Sequence, residues 1–272
     1  MSLWENNPGI MFLKYIRAAK PSVVLLLLVC MVQNIDAADV ADRFQANIYH
    51  GKGQSSLPYR LLMPKNYNRA KKYPLVLFLH GSDERGSDNT KQLYVGLNIF
   101  ASETMMERYQ CFIAAPQCPT DMKWADVDWK ADRHVMRDSP TEALAMAIEL
   151  VRELPKEFSI DTSRIYVTGY SMGGFGAWEA IQRYPDLFAA AVPVCGGGDE
   201  SQAARIAQIP VWAFHGALDP LVKVTRSRNM VNSVVLAGGM PRYTEYPDIN
   251  HFCWGLAFSN PAMFEWLFKQ KK

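Results

Sequence analysis

Short continuous apolar runs recur through the middle of the chain, and glycine or polar residues follow them. Such runs are typical of strands that are buried on both faces of a parallel sheet. The predicted buried strands are Pro74–His80, Cys111–Ala115, Ile165–Gly169, Ala189–Val194 and Val211–His215, with a weaker last strand at Tyr243–Tyr246. Before them, the alternating segments Phe44–His50 and Pro58–Met63 flank a turn rich in glycine and serine, which predicts an antiparallel pair.

Helical periodicity is found between the apolar runs. Ser139 is expected to cap one helix, because Pro140 follows it at a position that favours a first turn. Further helices are predicted over Met172–Tyr184 and Val222–Ala237. This alternation predicts an α/β fold with a mostly parallel central sheet, helices on both faces and short antiparallel N-terminal strands. The connection over Pro116–Asp138 is too long and irregular for a simple link, and such excursions are often functional loops.

Residues 1–37 show the order of features that marks an export signal. Basic residues precede an uncharged, almost wholly aliphatic run of ten at Val23–Val32, and Ala37 offers a small residue for cleavage. Ten helical residues rise about 15 Å, half of the ~30 Å hydrocarbon core, so no stable membrane span is expected. We therefore expect a secreted or periplasmic protein in which residues 38–272 form a single domain.

Two alternatives remain for the N-terminal segment. The apolar run is also compatible with a buried core helix, and Cys30 within the run is a candidate for a lipid anchor. Val29 is bulkier than the residue that usually precedes a lipidated cysteine, which makes the lipoprotein interpretation less favoured than a cleaved signal.

The composition is that of an ordinary globular protein, with 272 residues, 49% of them hydrophobic and 21% charged. The formal charge is +2 and no long run of lysine or arginine occurs, so no nucleic-acid partner is expected. The chain has no H-E-x-x-H or C-x-x-C motif, and no Lys-Ser/Thr pair follows the glycines at 196–198. We therefore expect neither a metal nor a cofactor.

The segment Gly169–Gly173 fits the pattern G-x-S-x-G and lies between a predicted strand and a predicted helix. On such a tight turn the chain passes so close to the serine that the flanking positions must be nearly free of side chains. The turn also places Ser171 at a helix N-terminus, where free N–H groups favour developing negative charge. Ser171 is predicted to be a nucleophile, and the alternative is a glycine-rich turn with an idle serine.

A serine nucleophile needs a histidine base, and the base needs a carboxylate to orient it. In proteins with this turn, the acid and then the histidine follow the serine along the chain. Asp219 lies in the loop that leaves the strand ending at His215, and His251 follows the last predicted strand. Asp219 and His251 are therefore predicted as acid and base. His215 precedes the acid and is interpreted as a packed strand-end residue, while Asp199 is the main competitor for the acid.

Acyl transfer also needs two N–H donors for the oxyanion. One candidate is the N–H of Met172, directly after the nucleophile. The other is the N–H of Ser82, in the loop after the strand that ends at His80. His80 itself is expected to brace this loop.

Several segments occur in an order that resembles a known group of enzymes. They are Leu79–Asn89, Ala115–Pro119, Gly169–Gly174, His215–Asp219, His251–Trp254, Asn260–Pro261 and Glu265–Leu267. Over residues 44–270 the chain resembles the secreted α/β-hydrolase esterases grouped with phospholipase/carboxylesterase and polyhydroxybutyrate-depolymerase-like proteins. The resemblance implies the α/β-hydrolase fold, with residues 38–272 as the catalytic domain. It also implies a serine carboxylesterase with the triad Ser171, Asp219 and His251.

One position departs from that family pattern. Asp83 stands where a small residue is expected, and we expect its carboxylate to face solvent or to pair with Arg85. The implied substrate is a carboxylic ester, either small or linked to a polymer. One alternative is amide hydrolysis by the same triad, as in prolyl-oligopeptidase-like peptidases, which usually carry a large extra domain. Another is a catalytically inactive hydrolase fold used for binding, against which the complete Ser-Asp-His order argues.

Trp124, Trp129 and Trp254 are candidate substrate-binding residues. The first two belong to the long excursion, which leaves the same sheet edge as the triad, and tryptophans there are suited to wall a pocket. The alternative is that they pin the loop to the body of the protein. Cys195 and Cys253 also fall at this edge and are the best candidates for a disulfide, with buried free thiols as the alternative.

Overall fold

The computed structural model describes residues 37–51 and 55–272. Nearly all of the predicted export signal, residues 1–36, lies outside the described residues, and the signal stays a prediction. No helix in the described ranges is both long and apolar enough to cross a membrane.

One eight-stranded sheet organises the described residues. Its strands are β1 (Phe44–His50), β2 (Ser56–Leu62), β3 (Tyr73–Leu79), β4 (Phe112–Pro116), β5 (Ile160–Tyr170), β6 (Ala190–Val194), β7 (Trp212–Gly216) and β8 (Arg242–Tyr246). The order across the sheet is β1-β2-β4-β3-β5-β6-β7-β8. Strands β1, β2 and β4 pair antiparallel, and β3 to β8 run parallel, which confirms the predicted mostly parallel sheet with antiparallel N-terminal strands.

Helices connect the parallel strands. The described helices are α1 (Ala37–Asp42), α2 (Leu97–Phe100), α3 (Glu103–Arg108), α4 (Glu142–Glu157), α5 (Met172–Arg183), α6 (Thr225–Leu236), α7 (Trp254–Phe258) and α8 (Pro261–Lys269), with 3₁₀ turns at Lys91–Leu93 and Glu200–Ile206. The predicted cap of α4 is wrong by two residues. Thr141, and not Ser139, caps this helix, because its hydroxyl accepts the N–H of Leu144 at 3.2 Å.

Strand β3 shows why the apolar runs are continuous: all of its residues are buried. Leu75, Leu77 and Leu79 share one hydrophobic core with side chains of α4 and α5. Successive side chains of a strand point to opposite faces, and Phe78 packs on the other face against Phe258 of α7, with ring centroids 5.4 Å apart. Both faces of the sheet are therefore covered.

The parallel strands bring their carboxyl ends to one edge of the sheet. Ser82 follows β3, Ser171 follows β5, Asp219 follows β7 and His251 follows β8. Open α/β sheets place their ligand sites at this edge. The topology thus gathers residues that are far apart in sequence.

Candidate active site

Ser171 occupies the turn between β5 and α5 in a strained backbone conformation. Its φ is +55°, a region that residues other than glycine rarely adopt. A Cβ atom on Gly173 would lie 1.9 Å from the carbonyl oxygen of Leu79, and one on Gly169 would lie 2.5 Å from the same atom. The glycines of the motif are therefore required because the turn packs against the backbone of β3.

Ser171, His251 and Asp219 form a continuous line of hydrogen bonds. The Oγ of Ser171 lies 2.8 Å from Nε2 of His251, and Nδ1 of His251 lies 2.6 Å from Oδ2 of Asp219. An ionised carboxylate only accepts, so Nδ1 carries the proton and Nε2 is free to accept the proton of the serine. The three side chains predicted from chain order therefore meet, and their catalytic roles remain a prediction.

Asp219 is surrounded by four donors. Oδ1 accepts the backbone N–H groups of Leu221 and Val222, each at 2.9 Å, and Oδ2 lies 3.1 Å from Nε2 of His215 besides its contact with His251. Burial raises the pKa of the fully buried carboxyl, but hydrogen bonds from His215, His251 and Val222 outweigh it. The pKa of Asp219 is therefore held well below its usual range, and the group is ionised at neutral pH.

His215 and Asp199 were the two residues that chain order set aside. His215 is packed at the end of β7, as predicted, and its ring also contacts the carboxylate of Asp219. Asp199, the competitor for the acid, caps the 3₁₀ turn at Glu200–Ile206, and one of its oxygens accepts the N–H of Met136 at 2.8 Å. Within the described ranges, no hydrogen bond joins Asp199 to His251.

The two predicted oxyanion donors lie beside the nucleophile. Met172 is the first residue of α5, so its N–H has no acceptor within the helix. Ser82 lines the same cavity as Ser171. Asp83 is exposed and accepts the hydroxyl of Ser82 at 3.1 Å, while Arg85 donates to the carbonyl oxygen of Ser82 at 2.9 Å. Asp83 is thus exposed to solvent, one of the two expected arrangements, and it also lines the cavity beside Ser171.

A cavity of about 470 Å³ opens next to Ser171. Trp129 and Trp254 line it, as predicted from the sequence, and so do Leu221 and Phe252, which the sequence analysis missed. The sequence held a signal for both, since each is an apolar residue in a loop. Phe252 directly follows His251, and Leu221 lies two positions after Asp219.

Trp124 does not line the cavity. Its side chain is completely buried in the main core, and its indole N–H donates to the carbonyl oxygen of His80 at 3.1 Å. This corrects the candidate role in substrate binding, because a ring packed beneath the loop that follows β3 is out of reach of a ligand in the cavity. Trp124 instead pins its loop to the body of the protein.

A model of the dienelactone hydrolase family matches residues 117–261, a range that includes Ser171, Asp219 and His251. The chain belongs to the dienelactone hydrolase family. The site described above lies within the matched range.

Similar proteins include several esterases. A solved structure of a thermostable esterase superposes with a TM-score of 0.78 and 40% identity, covering 86% of this chain and 64% of that one. The bifunctional acetylxylan esterase/xylanase XynS20E of Neocallimastix patriciarum is 25% identical over 156 residues, 57% of this chain and 20% of that protein. Poly(3-hydroxyalkanoate) depolymerase C of Paucimonas lemoignei is 45% identical over 56 residues, 21% and 13% of the two chains.

This member of the dienelactone hydrolase family spans less than two thirds of each of those relatives. The likeness to the thermostable esterase and the family match confirm the predicted α/β-hydrolase fold. The predicted resemblance to carboxylesterase and depolymerase-like proteins is confirmed as well.

The connection between β4 and α4, residues 117–141, forms one side of the cavity in this family member and is here called the wall loop. Arg226, whose side chain is fully buried, donates to the carbonyl oxygen of Ala131 at 3.1 Å. Asp199 holds the loop again by accepting the N–H of Met136. Both anchors lie outside the cavity, while Trp129 of the loop faces into it.

The four described cysteines are free thiols, and all are buried. Cys195 and Cys253 are neighbours, as the sequence suggested. Burial raises the pKa of the Cys195 thiol well above its ordinary value, and the proximity of Cys253 adds to the rise in the pKa of Cys195. The structure therefore has the predicted pair in the thiol form and not as a disulfide.

His80 braces the loop that follows β3, as expected. Its Nδ1 donates to the carbonyl oxygen of Gly81 at 2.6 Å, and its Nε2 accepts the N–H of Cys118 at 2.9 Å. The ring is completely buried, and burial lowers the pKa of His80 to about 4. His134 in the wall loop also has its pKa lowered to about 4, first by burial and then by the charge of Arg226.

These two histidines predict a loss of stability in mild acid. Unfolded histidine has a pKa of about 6.5, so between pH 6.5 and 4 the unfolded chain binds more protons than the folded one. The neutral histidines make their full contribution to the free energy of unfolding above pH 6.5, and this contribution falls as the pH approaches 4. For His80 the loss is about 3 kcal/mol. We expect the melting temperature, measured by circular dichroism, to fall by about 5–10 °C between pH 7 and 4.5.

A matched variant separates histidine titration from general acid effects. His134→Asn keeps an acceptor for Arg226, whose Nη2 lies 2.5 Å from Nδ1 of His134, but does not titrate. Its melting temperature should decline less steeply over the same window. Carboxyls such as Glu245, whose pKa a hydrogen bond from Arg228 lowers to about 2, act only at lower pH. A wild-type melting temperature that does not change between pH 7 and 4.5 would contradict this explanation.

Proposed function

We propose that this protein is a serine carboxylic-ester hydrolase that works through an acyl-enzyme. The observation that carries the proposal is the unbroken contact from Ser171 Oγ to His251 Nε2 at 2.8 Å and from His251 Nδ1 to Asp219 Oδ2 at 2.6 Å. Ser171, at one end of this series of hydrogen bonds, lines a cavity that is large enough for a small substrate. Nucleophile, base and orienting acid in this geometry are suited to acyl transfer.

The chemistry follows from the positions of the protons. His251 Nε2 takes the proton of Ser171 as the serine oxygen attacks the ester carbonyl. The N–H groups of Met172 and Ser82 stabilise the oxyanion that forms. The imidazolium then gives its proton to the leaving alcohol. Water next attacks the acyl-serine carbonyl as His251 Nε2 takes its proton, and the ring returns that proton to the Oγ of Ser171 as the acid leaves. Asp219 keeps Nδ1 protonated and stabilises the positive charge on the ring throughout.

The cavity indicates the part of the substrate that is recognised. Trp129, Leu221, Phe252 and Trp254 provide apolar walls that suit an aliphatic or aromatic group near the ester. Asp83, Glu84 and Lys130 line the same cavity and leave part of it charged. Two relatives are named for esters of polymers, acetylxylan and poly(3-hydroxyalkanoate). We therefore include polymer-linked esters, with small esters, in the proposed substrate class.

Two other functions use the same fold. A peptidase or amidase would place an amide at Ser171, and an inactive binding protein would use the cavity without turnover. The complete triad geometry favours catalysis over binding, because Asp219 and His251 are held in the one arrangement that activates a serine. Ester and amide hydrolysis must be separated by experiment.

The test combines active-site labelling with a substrate panel. A fluorophosphonate should label the full chain once, at Ser171 by peptide mass spectrometry. p-Nitrophenyl acetate, butyrate and octanoate and methyl ferulate should be hydrolysed, at least one of them about 10²-fold faster than peptide p-nitroanilides. Faster anilide turnover would favour the peptidase, and absence of both labelling and turnover would favour the binding protein.

A further inference from the structure

His215 is a second buried histidine in contact with the triad acid. It lies near the end of β7, and its side chain has no exposed surface. Its Nε2 lies 3.1 Å from Oδ2 of Asp219 and 3.0 Å from the carbonyl oxygen of Val222. Its Nδ1 lies 2.7 Å from the hydroxyl of Ser227, which in turn lies 2.9 Å from the carbonyl oxygen of Gly196.

The neighbours of the ring fix the proton on Nε2. A carboxylate and a carbonyl oxygen only accept hydrogen bonds, so the Nε2 that faces Asp219 and Val222 must be the donor. Ser227 of α6 holds the opposite nitrogen: its single hydroxyl proton goes either to Nδ1 or to the carbonyl oxygen of Gly196, and in the second arrangement its oxygen accepts from Nδ1. In both cases the Nε2–H group points at the acid.

The two oxygens of Asp219 depend on different partners. Oδ1 is held by two backbone N–H groups of its own turn, from Leu221 and Val222. Oδ2 is held by two imidazoles, His251 at 2.6 Å and His215 at 3.1 Å. Of these two, only His215 belongs to the rigid sheet, because His251 lies in a loop after β8. The same ring also holds the turn through the carbonyl oxygen of Val222.

We propose that His215 is a positioning residue for catalysis: its Nε2–H fixes Oδ2 of Asp219 so that His251 is held in line with Ser171. The inference rests on the proposed function, since it assigns a role within the same triad. Without this donor, Oδ2 keeps one partner in a loop, and the carboxylate can rotate away from the plane of the His251 ring. A displacement of about 1 Å in such an array can cost on the order of 10²-fold in rate.

Two amide variants separate the donor from the bulk of the side chain. The amide nitrogen of glutamine reaches the position of Nε2, whereas that of asparagine reaches the position of Nδ1. His215→Gln therefore keeps a donor toward Asp219, and His215→Asn keeps only a partner for Ser227. With p-nitrophenyl acetate we expect kcat to fall about 10²-fold in His215→Asn and to stay within about tenfold of wild type in His215→Gln. KM should change less than about twofold in both, because His215 does not line the cavity.

The result that overturns the inference is equal kcat in the two amide variants, whether high or low, at similar melting temperatures. Ser171→Ala in the same assay separates failure of this inference from failure of the proposed function. If this variant retains turnover, the proposed function itself has failed. A second measurement uses the wild-type chain and so does not depend on the folding of a variant. ¹⁵N spectra of the histidine-labelled full chain at pH 7 should show His215 with a proton on Nε2, and an unprotonated Nε2 would also overturn the proposal.

Discussion

Replacement of Ser171 by alanine should lower kcat for p-nitrophenyl acetate by about 10⁵- to 10⁶-fold and should abolish labelling by a fluorophosphonate. The variant lacks the attacking oxygen, and the residual rate comes from the oxyanion donors and substrate binding alone. Alanine at φ +55° is about as strained as serine, so the melting temperature should change little.

Ser259→Ala is a matched control, since Ser259 is exposed and lies in the link between α7 and α8. It should keep wild-type turnover and labelling. Activity of Ser171→Ala within about tenfold of wild type would show that the hydrolysis does not use this serine.

Asp219→Asn should lower kcat/KM by about 10⁴-fold, because it moves the proton of the His251 ring from Nδ1 to Nε2. Leu221 and Val222 direct two N–H groups at Oδ1, so the amide oxygen of asparagine must take that place. Its NH₂ group then faces His251, whose Nδ1 has to accept, and the proton moves to Nε2. A protonated Nε2 cannot take the proton of Ser171.

The matched control for this variant is Asp199→Asn, at the other aspartate that chain order allowed. Asp199 anchors the wall loop and does not contact His251, so its loss should lower kcat/KM by less than about tenfold. If the two variants exchanged these outcomes in steady-state assays, the assignment of the acid would be wrong.

The strands and the meeting of the triad were predictable because each has a strong local or topological cause. Seven consecutive buried residues in β3 leave an uninterrupted apolar run, and parallel strands bring their following loops to one edge. The G-x-S-x-G spacing was predictable because Gly173 faces the backbone of β3 with no room for a methyl group.

Other features depend on contacts that a single sequence does not show. Ser139 and Thr141 are both good caps by sequence, and Thr141 caps α4 while its hydroxyl also donates to the carbonyl oxygen of Trp124 at 3.1 Å. Trp124 and Trp129 belong to the same loop, but one points into the core and the other into the cavity. His215 was placed correctly at a strand end, yet its contact with Asp219 arises from the shape of the turn that follows.

The anchoring of the wall loop has a consequence for how this scaffold can diversify. Arg226 and Asp199 hold the loop from behind, at Ala131 and Met136, so the frame does not depend on the side chains that face the substrate. Substitutions at cavity-lining positions of the loop such as Lys130 can therefore accumulate without disturbing these attachment points, whereas Trp129 also packs against the core. Under the proposed function, new ester preferences can evolve by exchange of a few loop residues, while Ser171, Asp219 and His251 are inherited unchanged.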